Sequence, residues 1–163
     1  MIQQGIFLKM VLDAWNVHVK RTDDVINSLL DEELLQEIAP GRNRGIYLLG
    51  HLAAVHDKML PTLGFGDQIN PGAYRVFVEH PDKAIQELPP VADLRIYWNE
   101  VNNLLATNFN KLNPEDWFQK HNSVSEEDFT REPHRNKLNL VINRTNHLAT
   151  HLGQLILLQH KKT

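Results

Sequence analysis

The amino-acid sequence predicts an all-α protein, a four-helix bundle with long crossover segments. Four runs place apolar residues on one face at helical spacing, and two long segments, one rich in proline and glycine and the other polar, separate them. No stretch alternates apolar and polar residues as a half-buried strand would. With 163 residues and 42% hydrophobic content, the chain can bury a core and is read as one domain, residues 1–163.

The first helix is expected from about Gly5 to Leu29, because Leu8, Leu12, Trp15, Val19 and Ile26 fall in a narrow stripe at ~100° per residue. His18 lies beside that stripe. Asp31-Glu32-Glu33 is expected to cap a continuation through Ile38, ended by Pro40-Gly41. The second helix runs from about Arg44 to Leu60 and stops at Pro61, with Leu48, Leu52, Val55 and Met59 on its buried face. Leu49 and His51 stand at the two borders of that face. His56 falls nearer the Leu49 side, ~140° from His51, and reads as a core histidine or, as the alternative, a pocket wall.

Pro61 to Pro90 is broken by Gly64, Gly66, Pro71, Gly72 and Pro81, and a bare connection of that length is uncommon. A structured crossover is expected, with short turns started at Asn70-Pro71 and His80-Pro81. The third helix spans about Val91 to Leu112, aligned by Leu94, Trp98, Val101, Leu105 and Leu112; Asn113-Pro114 ends it and opens a short turn through Trp117. Gln119 to Arg135 reads as a polar loop, leaving His121 and His134 in solvent or, alternatively, on a lid. Trp15, Trp98 and Trp117 read as core or interface filling. The fourth helix occupies about Leu138 to Gln159, with Val141, Leu148, Leu152 and Leu155 marking its core direction.

The formal charge is −3, with 17 basic and 20 acidic residues well mixed, so no basic stripe points to nucleic acid, and the Lys161-Lys162 tail is too short to form one. The absence of cysteine removes disulfides, thiolate ligands and a cysteine nucleophile, and fits a cytoplasmic protein. Lys9 and Asp13 interrupt the N-terminal apolar pattern, which therefore reads as a first helix and not as a signal peptide. No apolar run approaches the ~20 residues needed to span a bilayer, so no membrane partner is expected.

Nine histidines remain for metal chemistry. His147 and His151 stand one turn apart on the flank of the fourth helix, together with Leu140, Arg144 and Leu158. His51 holds the corresponding flank of the second helix. If the two helices are neighbours, three imidazoles converge and leave a position open for water or substrate. Imidazole suits zinc, nickel, iron or copper, and the affinity order selects none of them. The pair alone equally fits two partly exposed histidines, and His51 alone fits a hydrogen-bonded interior histidine; the three together favour a metal. Gln154 beyond His151 and Asn143 before His147 are candidates to orient the ligating rings, or ordinary border residues. Arg144 either meets an anionic substrate or, as the plainer expectation, pairs with a carboxylate.

The segment Gly45-Ile46-Tyr47-Leu48-Leu49-Gly50-His51-Leu52-Ala53-Ala54-Val55-His56-Asp57, followed by His147-Leu148-Ala149-Thr150-His151-Leu152-Gly153-Gln154, resembles the DinB/YfiT superfamily of metal-dependent enzymes. In that family a histidine of the second helix and a His-x-x-x-His pair of the last helix bind one divalent metal inside a four-helix bundle. His51, His147 and His151 match those positions. The resemblance implies one divalent ion, zinc or nickel ahead of iron or manganese. It further implies a transferase, dependent on a low-molecular-weight thiol such as bacillithiol or mycothiol, or a hydrolase, acting on a small-molecule substrate. A homodimer is expected from the same source. The alternative is a non-catalytic metal-binding or ligand-sensing stress-response protein.

Overall fold

Four long helices form where the apolar stripes lie: α1 (Ile2–Ser28), α3 (Gly45–Leu63), α5 (Val91–Phe109) and α7 (Lys137–Leu155). Three short ones, α2 (Asp31–Leu34), α4 (Pro71–Tyr74) and α6 (Glu126–Arg131), lie in the connections. This computed structural model describes residues 2–159, so the Lys161-Lys162 tail lies outside the described residues. Extended pairing among the described residues is limited to the isolated bridges Glu37–Arg44 and Lys120–Asn136. No described helix is long and apolar enough to cross a membrane.

The long helices make a four-membered bundle in which α1 packs along α7, α3 along α5, and α3 meets α7 at a seam. The α1–α5 side closes through Trp15 and Trp98, which clasp His56 between them. α3 is buried almost all round, as its high apolar content requires. Its N-terminal half joins one apolar cluster with Ile26, Trp98, Leu148 and Leu152, and its C-terminal half a second with Trp15, Val101, Phe109, Trp117 and Val141. Between the two clusters lies a polar layer that includes buried His56 and Thr145.

Several boundaries differ from expectation for physical reasons. α3 does not stop at Pro61 but continues to Leu63, and Gly64, at φ 82°, ends it in the left-handed conformation. The Phe65 N–H then returns to the Leu60 carbonyl at 2.8 Å and satisfies the helix end. The acidic run after α1 makes only α2, not a helix through Ile38, and Arg95 reaches across to the Ile26 and Leu29 carbonyls at the end of α1. α5 ends at Phe109, short of Leu112, and a 3-10 turn spans Pro114–Phe118 as expected.

The loop Gln119 to Arg135 contains α6, capped by the Ser125 hydroxyl, which accepts from the Asp128 N–H at 3.0 Å. In the crossover, α4 begins at Pro71 as expected and runs into a π-helical turn, Arg75–Glu79; at Pro81 a single turn forms, closed by the Ala84 N–H on the Pro81 carbonyl at 3.2 Å, without growing into a helix. Side chains of α3 tie this segment down. The Tyr47 hydroxyl donates to the His80 carbonyl at 2.7 Å. The buried Asp57 carboxylate accepts from the Ile69 and Asn70 N–H groups at 2.8 and 2.9 Å and from the Tyr97 hydroxyl at 2.7 Å. Asp82 accepts from the Arg44 N–H at 2.7 Å and from its guanidinium, completing the start of α3.

Candidate metal centre

The seam between α3 and α7 brings His51, His147 and His151 together, with their coordinating atoms all within 4.8 Å of one another. His51 Nε2 lies 3.0 Å from His147 Nε2, which lies 3.1 Å from His151 Nε2. The rings are half-buried. Helical spacing stacks the α7 pair, and the packing of α3 on α7 delivers the third ring.

The outward-facing nitrogens decide what the inner ones can do. His51 Nδ1 lies 2.8 Å from the Phe77 carbonyl. A carbonyl only accepts, so Nδ1 carries the proton and a neutral ring leaves a bare lone pair on Nε2. His151 Nδ1 likewise donates to Gln154 Oε1 at 2.7 Å, leaving its Nε2 bare. Two lone pairs therefore face His147 Nε2, and only a proton or a cation there relieves their repulsion. The two separations at His147, 3.0 and 3.1 Å, are close to the roughly 3.3 Å expected between nitrogens bound tetrahedrally at ~2.0–2.1 Å. The residues present fit a metal ion, with Phe77 and Gln154 supplying the oxygen acceptors that usually orient ligating imidazoles.

Burial pushes His147 down to about 3, with the neighbouring His151 and His51 rings adding to the effect. Burial also lowers His51, against the opposing influence of its Phe77 hydrogen bond. These rings stay neutral, and able to bind a metal, at lower pH than a free imidazole.

Of the residues expected to support the trio, Gln154 does so. Asn143 does not: it is exposed and makes no side-chain hydrogen bond among the described residues, so it leaves His147 Nδ1 buried and unpartnered. Arg144 forms no ion pair among the described residues, and its Nε is buried without a partner, so the plainer expectation of a carboxylate fails. Among the described residues His18 bonds only the Ala14 carbonyl of its own helix, and His134 is exposed. His121 is half-buried with an unpartnered Nδ1. His56 is fully buried, donates from Nδ1 to Asn102 Oδ1 at 2.9 Å, and is held down to about 4 by that burial.

Two contributors had no signal in the sequence. The Phe77 carbonyl arrives from the π-helical turn, far along the chain from His51. Gly50 makes room for it, since a Cβ there would meet the Phe77 ring at 2.4 Å. Only the tertiary path of the crossover joins them.

Fold and site together define an all-α helical bundle with a three-histidine cluster placed to hold a metal ion. Neither a scan against protein-family models nor a search of curated proteins returns a match for this chain.

Proposed function

We propose that this protein is a divalent-metal-dependent enzyme of the DinB/YfiT type, holding zinc or nickel through His51, His147 and His151. It acts as a transferase, with a low-molecular-weight thiol as co-substrate, or as a hydrolase on a small molecule. The observation that carries this reading is the convergence of three Nε2 atoms while two of the rings are pinned through Nδ1 to oxygen.

A bound ion of this kind supplies a Lewis acid that lowers the pKa of a coordinated water or thiol. The chain's part is to hold three neutral donors in place, keep the ion's charge uncompensated and leave one side open. The proposed homodimer has a candidate face on α1, where Ile6, Phe7, Met10 and Val17 are exposed.

Metal content measured by mass spectrometry on untagged protein tests the assignment. One equivalent of ion in the wild type and its loss in His147→Ala support it; full stoichiometry in His147→Ala overturns it. Turnover by the loaded protein with thiols and electrophiles, against a panel of esters and amides, separates transferase from hydrolase.

A further inference from the structure

Arg144 has no role in holding a metal, yet it lies on the same face of α7 as the histidine pair, three residues before His147 and seven before His151. Arginine is rarely withdrawn from water without a carboxylate. Here the side chain is half-buried, its Nε is enclosed with no partner, and no carboxylate pairs with it among the described residues.

His121, carried by the connection before α6, also has a buried Nδ1 without a partner. That connection is anchored to the end of α3, where the Asn122 N–H donates to the Thr62 carbonyl at 2.9 Å. His121 is thus a second buried nitrogen without a partner, on a connection held against the end of α3. An ion held by three neutral imidazoles would add two positive charges to that of Arg144. Among the described residues no carboxylate joins the three histidines in their cluster, and none pairs with Arg144.

We infer that Arg144 is the anchor of an oxyanion subsite beside the histidine cluster, and that the substrate is a small molecule bearing a carboxylate or phosphate group. The planar guanidinium suits either group through paired N–H donors. The inference deepens the proposed function and rests on it for the word substrate; the anion site itself stands on Arg144 alone.

The test titrates inorganic phosphate and, separately, acetate into the full chain, both metal-free and loaded with one equivalent of zinc. Calorimetry gives the affinity, and the arginine Nε–H resonance in a nitrogen–proton correlation spectrum reports which side chain responds. The expected result is binding that shifts the Arg144 resonance and weakens at least tenfold in Arg144→Gln. Arg144→Lys, which keeps the charge and loses the fork, falls between and also serves if Arg144→Gln is unfolded by circular dichroism. Zinc stoichiometry stays at the wild-type value in both variants. Equal affinity in wild type and both variants, or no shift of the Arg144 resonance, overturns the inference. A protein that binds no metal but still holds phosphate through Arg144 refutes the enzyme reading and leaves the anion site standing.

Discussion

Helix α3 carries two histidines five residues apart, His51 and His56, that meet opposite fates. His56 points into the core, enclosed between Trp15 at 4.8 Å and Trp98 at 5.1 Å, with one nitrogen satisfied by Asn102. His51 points into the seam, where its inner nitrogen faces another imidazole and its outer one is pinned to a backbone carbonyl. Burial is the greater for His56, so burial does not mark a metal ligand. What marks it is the direction of the bare lone pair.

The comparison breaks most sharply under paired truncation. His51→Ala is expected to weaken metal binding on the order of 100-fold or more while leaving the fold intact. His56→Ala should do the reverse, costing about 3 kcal/mol of stability through a cavity between two tryptophans and sparing the metal. Metal stoichiometry and urea midpoints on both variants check this; metal loss in His56→Ala alone would invert the assignment.

Acid sharpens the same contrast. The unfolded chain protonates His56 near the ordinary value of ~6.5, whereas burial holds the folded ring to about 4. Between those values the unfolded state carries more protons, so stability present near neutral pH is lost as pH falls. The loss due to this residue amounts to about 3 kcal/mol at most. Urea midpoints of metal-free protein at about pH 7 and about pH 5 should differ less in His56→Gln than in the wild type. An unchanged difference would mean that other groups carry the acid sensitivity.

Much of this was legible because periodicity is local. The four long helices follow from apolar spacing within each run, and the convergence of His51, His147 and His151 followed from flank positions once α3 and α7 were neighbours. The Ser125-x-x-Asp128 signature of α6 was present but masked by the polarity of its surroundings. The π-helical turn had no such signature. Its position is set by distant ties from Tyr47 and Asp57 of α3, and so is the Phe77 carbonyl that orients His51. Pro61 misled for a related reason. A proline in the last turn removes one hydrogen bond near an end where Gly64 and Phe65 close the helix anyway.

The supporting shell should show intermediate effects. Gly50→Ala forces the Phe77 ring away and loosens the acceptor of His51, at a cost of about 1–3 kcal/mol in stability. Gln154→Leu leaves His151 Nδ1 without its oxygen and is expected to weaken metal binding about 10- to 100-fold, measured by competition with a chromophoric chelator. Unaltered affinity in Gln154→Leu would show that ring orientation comes from packing alone.

The smallest effect belongs to Asn143, and the reason lies in the direction of helical side chains. Each Cα–Cβ bond tilts toward the helix N-terminus, so a residue leans back over the preceding turn. Gln154 therefore leans toward His151, three residues before it, and its length closes the hydrogen bond at 2.7 Å. Asn143, four residues before His147, leans away from it and is a methylene shorter, which leaves His147 Nδ1 unpartnered. Asn143→Ala should thus change stability by less than about 0.5 kcal/mol, as at an ordinary exposed position. Metal affinity should stay within about twofold of wild type, since the side chain touches no ligand that binding would strengthen. A tenfold loss in the same competition assay would place Asn143 on the histidine cluster and would require the α7 flank to rotate when the ion binds.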